Sequence, residues 1–183
     1  KADARMRQID TLRCELQSGP RHFRFSPDRK YLYLLYELKN VVDVYSFHEE
    51  EDGGEVFFEK IQMISTFLEK DRDPLIAACQ MRFSPDKEAS HLIVANAGIN
   101  TISIYDRDLD TGLLTMKGSL PVGGEYPKDF CIFPDERHIA VANNESGTIT
   151  FLNIDYEHGL LSMSARELEV DEPNCICMVK CRG

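Results

Sequence analysis

Pro20-Arg21-His22-Phe23-Arg24-Phe25-Ser26-Pro27-Asp28 decides the reading of this chain, because the chain writes it again further on. It returns as Ala78-Cys79-Gln80-Met81-Arg82-Phe83-Ser84-Pro85-Asp86, and again as Pro127-Lys128-Asp129-Phe130-Cys131-Ile132-Phe133-Pro134-Asp135. Another copy opens at Pro173-Asn174-Cys175-Ile176-Cys177-Met178. The residues after each copy recur as well. An apolar stretch comes first (Tyr31 to Tyr36, His91 to Ala95, His138 to Ala142), then a short polar turn. An alternating stretch is next: Val42 to Tyr45, Ile102 to Tyr105, Ile149 to Leu152. Then comes an acidic turn with glycine (Glu51 to Gly54, Asp110 to Gly112, Glu157 to Gly159). A last apolar stretch closes each unit, near Phe57 to Ile64, Leu113 to Leu120 and Leu160 to Leu168.

Alternation at period two marks half-buried strands. The Pro-Asp pairs mark turns, since proline fixes φ and aspartate bonds nearby backbone. Four short strands repeated every 47 to 58 residues or so describe a propeller blade, whose wet faces are buried only by stacking on like blades. A β-sandwich with similar strand spacing leaves the in-register return of the same turn chemistry unexplained. The expected fold is therefore all-β, a β-propeller of about three and a half four-stranded antiparallel blades. Residues 1–19 read as the end of a preceding blade, and 20–72, 73–122 and 123–171 as blades. Residues 172–183 read as the start of a further blade or a ring-closing strand. Closed propellers use four to eight blades, so the chain, which opens at Lys1 in a polar stretch, reads as part of a longer ring.

Of 183 residues, 43% are hydrophobic and 28% charged, the balance of a globular domain. The net charge of -10 argues against nucleic acid, which needs a basic footprint. No apolar run approaches the roughly 18 residues of a membrane span, and no secretory leader opens the chain. Six cysteines (Cys14, Cys79, Cys131, Cys175, Cys177, Cys181) read as buried free thiols of a reducing cytoplasm rather than disulfides. The Cys175-x-Cys177-x₃-Cys181 run has no second Cys/His pair at zinc spacing, so no metal and no cofactor is expected.

Gly19-Pro20-Arg21-His22-Phe23, Ser26-Pro27-Asp28, Tyr31-Leu32-Tyr33 and Glu37-Leu38 resemble the lactonase family of seven-bladed β-propellers. That group includes the bacterial 6-phosphogluconolactonases and the fungal carboxymuconate-lactonizing enzymes. Pro127-Lys128-Asp129-Phe130, Val141-Ala142-Asn143-Asn144, Ser146-Gly147 and Asp110-Thr111-Gly112-Leu113-Leu114 match the same family further along. The resemblance covers residues 19 to 183, the C-terminal half of a member. It implies a cytoplasmic hydrolase of the pentose phosphate pathway that opens a sugar lactone, 6-phosphogluconolactone first, with a phosphorylated small molecule as its partner. The alternatives are a non-catalytic binding or scaffold propeller and a carboxymuconate-type enzyme.

Aligning the repeats gives one position after the leading proline (Arg21, Cys79, Lys128, Asn174) and one at the end of the second strand (Glu37, Ala97, Asn144). Strand ends meet at the mouth of a propeller, so these positions would ring one pocket. The resemblance implies that Arg21 and Glu37 belong to the active-site cleft. Lactone hydrolysis needs an activated water and a stabilised oxyanion, so Glu37 is the candidate general base and Arg21 the anion holder. His22, Lys128 and Asn144 are candidate substrate-binding residues, with His22 expected to alternate away from Arg21. Arg21 and Glu37 also fit a structural ion pair. The family usually carries arginine where Ala97 stands, often arginine at Lys128 and an acid at Gln80, and a histidine from an earlier blade. Open blade faces and strand edges would favour self-association of the chain.

Overall fold

The computed structural model describes residues 8, 10–49 and 56–179. Three four-stranded antiparallel sheets succeed one another, each paired in chain order. The first blade holds β1 (Pro20–Phe25), β2 (Tyr31–Tyr36), β3 (Val41–Glu49) and β4 (Val56–Ser65). The second holds β5 (Ala77–Phe83), β6 (His91–Ala97), β7 (Thr101–Arg107) and β8 (Leu114–Pro121). The third holds β9 (Pro127–Ile132), β10 (His138–Asn143), β11 (Thr148–Asp155) and β12 (Leu160–Met163), with β13 (Leu168–Glu169) pairing the other end of β11. A 3₁₀ turn at Glu69–Asp71 is the one helical element among the described residues, and no helix there is long and apolar enough to cross a membrane.

The Pro-Asp turns are built from the aspartates. Asp28 accepts from the Ser26 hydroxyl at 2.6 Å, and Asp135 from the Arg137 amide at 3.0 Å. Asp86 takes the Ser90 amide at 3.0 Å. Period-two alternation then sorts side chains between neighbouring blades. Tyr33, Leu35, Val42 and Val44 interlock with Met81, Leu92, Val94 and Tyr105 of the second blade. Ile93, Ala95, Ile102 and Ile104, one residue out of phase, face Phe130, Ile139, Val141 and Leu152 of the third. Both faces of the middle sheet are therefore dry, which is what stacking achieves for an element that cannot bury itself. Polar links tie the faces together. Tyr33 Oη donates to Gly112 O at 2.7 Å, Tyr105 Oη to Ser65 O at 2.6 Å, and the Gln62 amide exchanges two 2.8 Å bonds with the Leu114 backbone.

Three expectations are corrected. The last strand of the third blade is not continuous from Leu160 to Leu168. Met163 pairs Leu152 and Leu168 pairs Ile149, so more chain lies between the partners on one side than on the other, and the excess loops out as in a wide bulge. The described residues 10–19, expected to close a preceding blade, form no strand. Leu12 and Cys14 instead lie against Leu32, Leu34, Tyr36 and Tyr45 on the outer face of the first blade, where no described strand offers a ladder to join. Residues 172–179 likewise form no strand. Their links to the third blade run through side chains, from Ile176 N to Asp129 Oδ2 at 3.0 Å and from Asn144 Nδ2 to Asn174 Oδ1 at 3.4 Å. The thiols also divide: Cys79 and Cys131 are buried and free, Cys14 is half-buried, and Cys175 and Cys177 are exposed. Cys181 and the turn Glu51 to Gly54 lie outside the described residues.

The junction between the first two blades is tight at Gly98. Its φ is +83°, and a methyl group there would sit 2.4 Å from the Leu75 carbonyl oxygen. Backbone cannot swing aside as a side chain can. Gly98→Ala is expected to destabilise the protein by at least about 1 kcal/mol, read as a lower urea midpoint at unchanged slope.

Candidate active site

The inner strands of the propeller are β1, β5 and β9, the first strand of each blade and the ones that neighbour each other from sheet to sheet. Each begins with the same irregularity. The β1–β2 register passes from Pro20↔Tyr36 to His22↔Leu35, leaving Arg21 without a partner of its own. The β5–β6 register skips Cys79 in the same way, and β9–β10 skips Lys128. The unpaired residue of every bulge is thus the residue that the repeat alignment selects. A bulge re-aims a side chain and ends regular alternation, so the period-two argument separating His22 from Arg21 does not apply here. Phe23 and Phe25 line the outer apolar face. Arg21 reaches the second blade, where its Nε donates to Cys79 O at 2.7 Å, and His22, half-buried and alternating with Phe23 and Phe25, faces that side too. The expected split of the two residues is corrected on this point.

Glu37 comes directly after the end of β2, beside Arg21. Arg21 Nη1 meets Glu37 Oε2 at 2.8 Å, and the two side chains are 33% and 32% exposed. Glu37 is fixed by its backbone, its N–H donating to Gly19 O at 2.8 Å. The pair is thus held from two blades, and each member keeps a face open to solvent. Burial first, then the positive charges of Arg21 and Arg24, push the His22 imidazole below its ordinary value, so it is neutral at pH 7. Burial pushes the Cys79 thiol up, which suits an inert group whose carbonyl steers Arg21.

The third blade adds Lys128, whose Nζ lies 5.5 Å from the centre of the Tyr126 ring. Lys128 occupies the bulge of β9 that corresponds to Arg21 in β1 and Cys79 in β5, and these strands neighbour one another from sheet to sheet. Asn144 is tied to the segments on either side of the third blade. Its N–H donates to Tyr126 O at 2.9 Å, and its amide reaches Asn174 Oδ1 at 3.4 Å. Ala97, at the equivalent place in the second blade, is fully buried and offers nothing to a ligand. Among the described residues no group of three or more His, Cys, Asp and Glu side chains is close enough to hold a metal ion.

Sequence reasoning missed Tyr126. Its φ is +59°, in the left-handed region that side chains other than glycine seldom occupy. Asn100 Oδ1 accepts its N–H at 2.9 Å, completing a latch with Asn144. Burial pushes its phenol up. The signal lay in the repeat: Tyr126 precedes the blade's leading proline as Gly19 does, and Gly19 has a φ of +66°. Glu172, before Pro173, reaches the same region with a φ of +41°, whereas Ala77 in the second copy does not.

Known proteins bear on this geometry. A 6-phosphogluconolactonase of Bacillus subtilis is 28% identical over 123 residues, which is 65% of this chain and 32% of that protein. A solved structure of a Lactobacillus plantarum protein superposes with a TM-score of 0.79 at 28% identity, over 91% of this chain and 47% of that one. The periplasmic gluconolactonase of Pseudomonas aeruginosa superposes with a TM-score of 0.73 at 25% identity, over 88% of this chain and 43% of that one. The chain spans about a third of the length of the curated relatives it matches. The profile of the family described as "Lactonase, 7-bladed beta-propeller" matches residues 1–178, and with the stacked four-stranded blades on which Arg21 and Glu37 meet, the chain belongs to that lactonase family of β-propellers.

Proposed function

We propose that the protein hydrolyses a sugar lactone, 6-phosphogluconolactone to 6-phosphogluconate, in the cytoplasm and as a step of the pentose phosphate pathway. The observation that carries this reading is the Arg21–Glu37 pair at 2.8 Å, set at a bulge and open to solvent at the mouth of the inner strands. In the proposed reaction Glu37 takes a proton from water as the water oxygen adds to the lactone carbonyl carbon. Arg21 faces the oxyanion that forms there. Collapse breaks the bond to the ring oxygen, which receives the proton held by Glu37, leaving the open-chain acid. Lys128 supplies a second positive charge for a phosphoryl group, and neutral His22 and the Asn144 amide contribute hydrogen bonds. The mechanism calls on no metal. The 6-phosphogluconolactonase of B. subtilis supports a phosphorylated substrate.

A second reading has its own observation. Ala97 leaves the second blade without a cation at the mouth, and the P. aeruginosa relative is a gluconolactonase; both favour an unphosphorylated lactone. Steady-state opening of the two lactones by the purified full-length protein separates them. The expected result is a kcat/KM at least tenfold higher for the phosphorylated substrate. Equal values favour the second reading, and no rate above spontaneous opening for either points to a non-catalytic binding propeller. The outer face of the first blade, where Phe23, Phe25, Leu32, Leu34, Phe47 and Phe58 line an apolar cleft, supports self-association of the chain wherever that face is left open.

A further inference from the structure

We infer that the inner wall carries an oxyanion site, apart from the mouth, between Arg24 of β1 and Arg82 of β5. Along β1, Phe23 and Phe25 turn to the outer face, so Arg24 points inward. It stands three positions along β1 from Arg21, about 10 Å at the strand rise of roughly 3.3 Å. Arg24 and Arg82 open on one cleft of about 550 Å³. Its remaining walls are Phe83, Pro85, Cys131, Ile132 and the segment Cys175 to Met178, with no carboxylate among them.

The charges of this cleft do not balance from within. Asp129 is the carboxylate next to it and is only 4% exposed. Its Oδ1 accepts from Gln80 Nε2 at 2.8 Å, Arg82 Nη2 at 2.9 Å and Phe130 N at 2.8 Å, and its Oδ2 from Ile176 N at 3.0 Å. Arg82 is its ion-pair partner. Arg24 is left with one bond among the described residues, from Nη1 to Phe23 O at 3.0 Å. Partial burial, then the neighbouring Arg82 charge, disfavour its cation. A guanidinium does not shed its proton near neutral pH, so Arg24 brings a positive charge without a carboxylate of its own into the cleft beside Arg82, and a bound anion would offset it. The chain as a whole carries -10, so the cationic cleft runs against its composition. Arg82 spends its Nε on Phe130 O at 2.5 Å and its Nη2 on Asp129, so the Nε and Nη2 donors of Arg24 and the Nη1 of Arg82, facing an apolar wall, are what suits a small tetrahedral oxyanion such as inorganic phosphate. The site is independent of the lactonase reading.

Cys175 and Cys177 are exposed thiols in the wall of the same cleft, so they report on occupancy without any activity assay. Alkylation by iodoacetamide is followed by peptide mass in sodium chloride, with inorganic phosphate added at constant ionic strength. Phosphate is expected to slow modification of Cys175 and Cys177 at least threefold, saturably, and to leave Cys14 unchanged. Arg24→Gln is expected to abolish the protection and Arg21→Gln to keep it, with buried Cys79 unreactive in both as the check on folding. Protection that does not saturate in the unmodified protein overturns the inference. So does protection matched by chloride alone, or protection lost in Arg21→Gln but retained in Arg24→Gln.

Discussion

Glu37→Gln is expected to lower kcat for lactone opening by about 10²- to 10⁴-fold, the span that a lost general base commonly costs. Glutamine keeps the size and the acceptor oxygen of the carboxylate but cannot take a proton from water. The loss should not reflect unfolding. The Arg21–Glu37 pair is about a third exposed on each side, and exposed pairs contribute under about 1 kcal/mol. Arg21 also retains its 2.7 Å bond to Cys79 O, which holds the guanidinium in place when its carboxylate partner is gone. Urea midpoints of the two proteins should therefore nearly coincide while their rates diverge. Glu37→Asp, with the charge kept but drawn back by one methylene, should fall between them. A Glu37→Gln protein that opens the lactone at the original rate removes Glu37 as the base, whatever the substrate proves to be. If the rate is unchanged but stability drops by more than the roughly 1 kcal/mol of an exposed pair, the pair is a structural bridge between blades.

The strands are legible in the sequence because stacked blades leave a simple trace. The buried faces of Tyr31–Tyr36 and His138–Asn143 are apolar on both sides, and the Pro-Asp turns return in register. The bulges leave no such trace. Arg21, Cys79 and Lys128 are three different residue types, two cations and a thiol, so the backbone feature they share cannot be read from residue type. It emerges only when the register of β1, β5 and β9 against their neighbours is known. That is why simple alternation puts His22 on the wrong side. The division of the last strand around Ser164 to Glu167 is hidden for a similar reason, since a short excess in one strand changes neither composition nor hydrophobic pattern. Asp129 gives no sign of its role because its partners are remote. Gln80 and Arg82 lie in another blade, and Ile176 in a segment whose own sequence suggests an independent strand.

That network sets the second large effect, on stability. Asp129→Ala is expected to destabilise the protein by about 3 kcal/mol, the lower end of what breaking a buried ion pair costs, since Arg82 keeps some contact with solvent. The replacement strands the Gln80 amide, the Arg82 guanidinium and the Ile176 N–H together, and each buried donor left unpaired adds its own penalty. The effect carries a pH signature with a definite sign. Burial raises the Asp129 carboxyl, but the hydrogen bonds from Ile176, Arg82 and Gln80 outweigh it and hold the group below its ordinary value. A carboxyl lowered on folding contributes stability above its unfolded value, near 3.9, and loses it as pH falls through the folded value. The gap between the unmodified protein and Asp129→Ala should therefore be full at pH 7 and begin to narrow below about pH 4. Urea unfolding of both proteins at pH 7, 5 and 3.5 measures it. A gap that is constant across that range would mean that Asp129 fills space rather than carrying charge. A gap that widens on acidification would reverse the sign and require the carboxyl to be protonated in the folded protein. Local and global loss can also be told apart. Ile176 is tied to the third blade by the Asp129 carboxylate, so faster alkylation of Cys175 and Cys177 in Asp129→Ala, well below the urea midpoint, would show the C-terminal segment leaving the inner wall before the blades come apart.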